Sequence, residues 1–125
     1  MPKRGIHWDQ VLTKIAESAC TGNRFAKYGA AEGGIVPCGD EEQGIGVTPY
    51  DIASGEIGTL VSAGIVNVDA GGSIDVNTPV TSDANGKAKA AANGEIALGI
   101  ALQAASDGDV VEINLLTNSL SVAVV

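Results

Sequence analysis

The chain has 125 residues and a formal net charge of −8 at pH 7, a length typical of one domain. The acidic balance argues against nucleic acid or an anionic membrane as a partner, because both attract basic surfaces. Only 3% of the residues are aromatic, so the predicted core is thin, and oligomerisation or docking onto a partner would supplement it.

The charges are unevenly distributed. Residues 1–27 hold five of the seven basic residues and two acids, whereas the rest of the chain holds two basic residues and thirteen acids. A basic arm therefore precedes an acidic body. A run of about eighteen apolar residues and the pattern of a signal peptide are both missing from the sequence, so we expect a soluble protein that is cytoplasmic when made.

The first predicted element lies in "HWDQVLTKIAESACTGN", residues 7–23. Its apolar residues recur at the spacing of an amphipathic helix that ends near Gly22. The apolar stripe either packs on its own domain or docks, with the basic residues around it, on a neighbouring subunit or partner. Its members are Trp8, Val11, Leu12, Ile15 and Ala19.

From residue 24 onward, short runs rich in Val and Ile alternate with Gly, Asp, Asn and Ser at intervals typical of an all-β sandwich or barrel. Asn-Gly and Asp-Gly pairs suit the tight turns between strands. We predict strands at residues 25–28, 35–36, 45–48, 56–62, 65–69, 80–82, 87–90, 96–102, 110–116 and 120–125.

One phrase occurs twice in similar form. "QGIGVTPYDIASGEIGTLV" covers residues 43–61 and "LGIALQAASDGDVVEINLL" covers residues 98–116. Each reads as a strand, a connection with an acid beside a glycine, and a returning strand. Either any hairpin protein repeats itself in this way, or the two units occupy equivalent places in a pseudo-symmetric barrel.

Residue types that carry chemistry are sparse. The single histidine, His7, lies in the arm, far along the chain from any predicted core site. The acids of "GDEEQG", residues 39–44, favour a solvated turn, since acid–base catalysis needs a carboxyl in an apolar pocket. Cys20 and Cys38 lack the spacing of metal ligands and are expected to be free thiols, although the sequence leaves open whether they meet. We predict no catalytic, cofactor-binding or metal-binding residues.

Lys87 raises one alternative. It follows the tight turn in "TSDANGKAKA", and a modified lysine stands at a hairpin tip in lipoyl and biotinyl carrier domains. In those domains the lysine occupies the turn itself, whereas Asn85 and Gly86 occupy it here. A swivelling carrier domain modified on Lys87 is therefore an alternative function.

Three segments, taken in order, resemble the cement or head decoration proteins of tailed bacteriophages. They are "NRFAKYGAAEGGIVPCGDEEQGIGV", "GTLVSAGIVNVDAGGSIDVNTPVTSDANGKAKAA" and "LGIALQAASDGDVVEINLL". The resemblance covers residues 23–116. It leaves out the arm, residues 1–22, and the predicted strand in "TNSLSVAVV" at the other end, so we divide the chain into an arm (1–22) and a β-barrel-like capsid-binding domain (23–125).

The resemblance implies a noncatalytic virion structural protein that binds the outer surface of the capsid. Such a protein would bridge subunits of the major capsid protein, cement the head and act as a homotrimer at local threefold positions. It would reside in the host cytoplasm during assembly. A tail or baseplate module of the same β architecture is a second alternative. We expect the arm to supply the contacts with capsid or neighbouring subunits, through Trp8, Val11, Leu12, Ile15, Lys3, Arg4 and Lys14.

Overall fold

The computed structural model of the chain describes residues 7–115, which form nine β-strands. The predicted all-β class is confirmed, and no helix that could span a membrane occurs within these residues. The strands are β1 (His7–Ala16), β2 (Arg24–Tyr28), β3 (Gly34–Pro37), β4 (Gly46–Thr48), β5 (Ile57–Asp69), β6 (Pro79–Ser82), β7 (Ala88–Ala90), β8 (Gly99–Ala101) and β9 (Val110–Leu115).

The strands form one sheet in the order β1-β3-β2-β4-β5-β9-β8-β6-β7. An additional antiparallel pairing joins β1 to β5. The pairings of the first five strands therefore form a ring in the order β1-β3-β2-β4-β5-β1. The long strand β5 also pairs with β9 from Ile65 to Asp69, and Ile65 is paired with both β1 and β9. Strand β5 is therefore the strand that joins the two halves of the sheet.

Two hydrophobic clusters lie on opposite faces of β5. Leu60 belongs to one and Val61 to the other, and successive side chains of a strand point to opposite faces. The larger cluster lies between β2, β4 and β5 and the strands of the second half, and Phe25 is its one aromatic member. The smaller cluster lies inside the ring of β1 to β5. Both consist mainly of small aliphatic side chains, as the composition predicts.

The predicted helix near the start of the chain is wrong, because residues 7–16 form β1 instead. β1 pairs along most of its length with β5, including Leu12 with Leu60 and Ile15 with Ile57. Register shifts between Trp8 and Val11 interrupt the alternation of the strand. The apolar residues of this segment follow helical spacing in the sequence, although the strand divides them between its two faces. The backbone hydrogen bonds that β5 offers override that local pattern.

The predicted strands at 56–62 and 65–69 are one strand, β5. Gly64, between them, has a φ of +114° and continues the strand at the point where the backbone of β1 approaches most closely. The glycines of the Asn-Gly and Asp-Gly pairs, Gly86, Gly94 and Gly108, adopt positive φ, whereas Gly71 and Gly72 of a fourth predicted turn, residues 70–72, do not. The predicted strand at 120–125 lies outside the described residues.

The repeated phrase corresponds to two neighbouring strand pairs. Its first copy contains β4 and the beginning of β5, which pair at Val47 and Val61. Its second copy contains β8 and β9, which pair at Ile100 and Asn114. Because β5 also pairs with β9, the two strand pairs lie side by side in the order β4-β5-β9-β8 at the middle of the sheet.

Candidate functional site

The β1–β5 ribbon carries an exposed apolar surface. Val11 and Ile15 of β1 are 50% and 45% exposed, and Ile57 of β5 is 68% exposed. Ile15 lies directly opposite Ile57, so the two side chains are neighbours on the same face of the ribbon. We call this surface the outer face. It consists of Val11, Thr13 and Ile15 of β1 with Ile57 and Thr59 of β5.

The opposite face of the same ribbon is buried. Leu12 packs against the smaller cluster opposite Leu60, and Ala16 is fully buried there. The strand therefore separates residues that the predicted helix would have placed on one stripe. Val11 and Ile15 lie on the outer face, whereas Leu12 points into the protein.

Trp8 contributes to a separate pocket at the beginning of β1. Its ring centroid lies 6.3 Å from that of Tyr50, with the ring planes at 72°. The pocket has a volume of about 270 Å³, and we call it the aromatic pocket. Its lining residues are Trp8, Asn23, Val47, Pro49, Tyr50, Val66 and Asn67.

The basic residues of the arm have different surroundings. The Lys14 ammonium lies 5.2 Å from the ring centroid of Tyr28, within the range of a cation–π interaction. Lys3 and Arg4 lie outside the described residues. Just beyond the arm, Arg24 forms an ion pair with Asp69, with 3.0 Å between the guanidinium Nε and the carboxylate. Part of the basic N-terminal region therefore neutralises acids of the chain's own body.

Ion pairs hold the acidic loop that the sequence predicts as a solvated turn. The Lys89 ammonium lies 2.8 Å from an Asp40 oxygen and 2.9 Å from a Glu41 oxygen, and Lys27 pairs with Glu42 at 2.7 Å. Hydrogen bonds from Lys27 and from the Gly39 amide lower the pKa of Glu42. The hydrogen bonds that the Lys89 ammonium donates to Asp40 and Glu41 raise the pKa of Lys89. The loop is thus fastened to β2 and β7.

The remaining candidate groups for chemistry are dispersed. His7 Nε2 lies 2.8 Å from a carboxylate oxygen of Asp9, and both side chains are exposed. Within residues 7–115, no cluster of three or more His, Cys, Asp or Glu side chains is arranged to hold a metal ion. Lys87 follows the turn and its backbone N–H donates to the Asp83 carboxylate at 2.9 Å, so it is not at the tip of the hairpin.

The two cysteines do not meet. Both are buried free thiols, and they belong to different hydrophobic clusters, Cys20 to the smaller and Cys38 to the larger. Burial raises the pKa of each thiol. Both side chains therefore serve as small core residues of low reactivity.

Grouped apolar and aromatic side chains on the surface of an all-β chain are typical of proteins that bind other macromolecules. The sequence matches the phage cement protein family over residues 7–116. The chain belongs to this family of head-associated structural proteins.

A solved structure shares the fold. It is the N base of the head fibre gp8.5 of bacteriophage phi29, which is 19% identical and superposes with a TM-score of 0.73. The match covers 86% of this chain and 94% of the phi29 chain. No curated protein matches the chain.

Proposed function

We propose that this chain is a noncatalytic cement protein on the outer surface of a phage head. It bridges subunits of the major capsid protein and so stabilises the head against the internal pressure of packaged DNA. Three copies act together as a homotrimer at local threefold positions. Membership of the cement family supports a role at the head, and the outer face supplies a surface for the contact.

The outer face carries this proposal. Val11, Ile15 and Ile57 are each about half exposed or more, although the chain has few large apolar side chains to build its core. Grouped apolar side chains that stay exposed are typical of a surface that a partner covers. A capsid lattice repeats the contact many times, so each copy needs only a modest apolar patch.

The charge distribution supports the same orientation. Lys3 and Arg4 precede β1 in the sequence, whereas the side chain of Lys14 alternates to the opposite side of the ribbon and lies against the ring of Tyr28. Lys3 and Arg4 would meet acidic groups of the capsid, while the acidic body faces solvent. Like charges on neighbouring copies would then discourage nonspecific adhesion between decorated heads.

A binding assay on purified heads that lack this chain tests the proposal. We expect the chain to co-sediment with heads and to saturate them. The variant with Ile15→Thr and Ile57→Thr should bind at least about tenfold more weakly, because it removes apolar area while keeping β-branched side chains. The matched control carries Val76→Thr and Val110→Thr, which change similarly exposed valines outside the outer face (53% and 46%).

Equal binding by the two variants would contradict the role of the outer face. Labelled chain that decorates tails and leaves heads bare would indicate the tail or baseplate module instead. The carrier alternative is tested by the intact mass of protein purified from phage-infected cells, because a lipoyl or biotinyl adduct on Lys87 would add mass. We expect the unmodified mass.

A further inference from the structure

The chain places most of its few aromatic residues on its surface. Of its four aromatic side chains, Phe25 is buried, whereas Trp8, Tyr28 and Tyr50 are each more than a third exposed. Aromatic side chains contribute the largest apolar area to a core, and this core is otherwise built from small aliphatic residues. Two of the exposed rings, those of Trp8 and Tyr50, contact each other edge to face and both line the aromatic pocket.

Four of the seven lining residues of the pocket belong to strands. Trp8 belongs to β1, and Val66 and Asn67 belong to β5. Asn23 has a φ of +59°, and its backbone is fixed by hydrogen bonds to Thr48 and from Asp69 at 2.6 and 2.8 Å. A site on such elements is formed before its ligand arrives and loses little entropy on binding.

The pocket also offers hydrogen-bonding groups that the protein does not use. Among the described residues, none forms a hydrogen bond with the side-chain amide of Asn23 or Asn67. The indole N–H of Trp8 adds a group that can only donate. None of the described lining residues carries a charge, so a neutral ligand group fits this pocket better than an anion or a cation.

Flat rings and amide donors match one ligand chemistry well. A polyproline II segment presents compact apolar pyrrolidine rings, has no internal hydrogen bonds and leaves its carbonyl oxygens free to accept. Such segments bind in grooves lined by aromatic side chains, where their stiffness limits the entropy lost. A neutral sugar also stacks on aromatic rings, but its hydroxyls need strong acceptors, and no carboxylate lines this pocket among residues 7–115.

We propose that the aromatic pocket binds an extended, proline-containing segment of a partner protein. The proline rings pack against the surface that Trp8, Pro49 and Tyr50 form together. Asn23, Asn67 and the Trp8 indole donate hydrogen bonds to the carbonyl groups of the segment. This inference goes beyond the proposed cementing role, and it is tested on the isolated chain without heads.

The probe is acetyl-hexaproline amide. Its six residues carry no backbone N–H, so the protein must donate nearly every hydrogen bond between the two. Trp8 is the single tryptophan of the chain, so its fluorescence reports on the pocket alone. We expect a saturable change in this fluorescence and a downfield shift of the Trp8 indole proton in NMR spectra. A Gly-Ser hexapeptide and maltohexaose should produce neither.

Two tyrosine variants provide a matched comparison. Tyr50→Ala should weaken hexaproline binding at least about tenfold, because one wall of the pocket is lost. Tyr28→Ala removes an equally exposed ring outside the pocket (55% against 59%) and should bind like the unaltered chain. Circular dichroism establishes that both variants are folded.

Three results would overturn the proposal. They are an absence of saturable binding of hexaproline, equal binding by the Tyr50 and Tyr28 variants, and saturable binding of maltohexaose in place of hexaproline. The last result would assign the pocket to a glycan. None of the three would affect the co-sedimentation of the chain with heads, so the two proposals fail independently.

Discussion

The two faces of the β1–β5 ribbon differ in what covers them. On the inner face, Leu12, Ala16 and Leu60 pack into the smaller cluster. On the outer face, Ile15 and Ile57 lie side by side and remain exposed. The same two strands therefore carry one apolar surface that holds the fold together and a second that the described fold leaves uncovered.

Because of this difference, we expect the inner face to determine the stability of the fold and the outer face to determine binding. Substitutions on the inner face should change the free energy of unfolding, whereas substitutions on the outer face should change binding to a partner. Shortening a buried side chain of the inner face lowers the free energy of unfolding because it leaves a cavity. Shortening a side chain of the outer face weakens binding because the partner loses apolar contact.

The largest expected effect is at Leu60, which is fully buried. Leu60→Ala should lower the free energy of unfolding by about 2–5 kcal/mol, because the cavity lies inside a small cluster that cannot easily collapse. Chemical denaturation measures this loss. A loss below about 1 kcal/mol would mean that the smaller cluster contributes little to the fold.

Gly64 tests the attachment of β1 to β5. A Cβ at this position would collide with the carbonyl oxygen of His7, and the φ of +114° disfavours any other residue. Gly64→Ala should therefore cost about 1–3 kcal/mol in unfolding free energy. Relative to the unaltered chain, the amide protons at the beginning of β1 should exchange faster in this variant, and those of β9 should change less. Unchanged protection at the beginning of β1 would contradict this account of the close approach.

The outer face should be nearly neutral for stability. Ile57→Thr retains a β-branched side chain at a position that is mostly exposed. We expect the free energy of unfolding of the isolated chain to change by less than about 0.5 kcal/mol. A much larger loss in a monomeric sample would show that the chain's own fold covers this face.

The ion pairs of the acidic loop should also contribute little to stability. Lys89→Met should cost no more than about 1 kcal/mol, because the ion pairs to Asp40 and Glu41 lie near the surface. The folded pKa of Lys89 is raised above the ordinary 10.5. Its contribution is therefore complete below pH 10.5 and is lost as the pH rises through the folded value. Denaturation at pH 8 and pH 11.5 should show a smaller difference between variant and parent at the higher pH.

Local chemistry made much of the fold predictable from the sequence. Asn-Gly and Asp-Gly pairs marked the turns at Gly86 and Gly108, and runs of Val and Ile marked strands such as β5 and β9. The order of the strands was not predictable, because the pairing of β1 with β5 depends on residues about fifty positions apart. Alternating β-branched residues at Val11, Thr13 and Ile15 were the available signal for a strand.

The candidate surface was predictable in part. The sequence singled out Trp8, Val11 and Ile15, which remain exposed, together with Leu12, which points inward. It did not identify Ile57 or Tyr50, because each joins its neighbours only through pairing or contact across the fold. The division of the chain at residue 22 and the roles of Lys3 and Arg4 stay predictions.

Cryo-electron microscopy of intact particles tests the cementing role most directly. The account predicts density for three copies of this chain at local threefold positions on the outside of the head. In that density, Val11, Ile15 and Ile57 should be covered by the major capsid protein or by a neighbouring copy. Heads without density for the chain, or an outer face directed to solvent, would contradict the account.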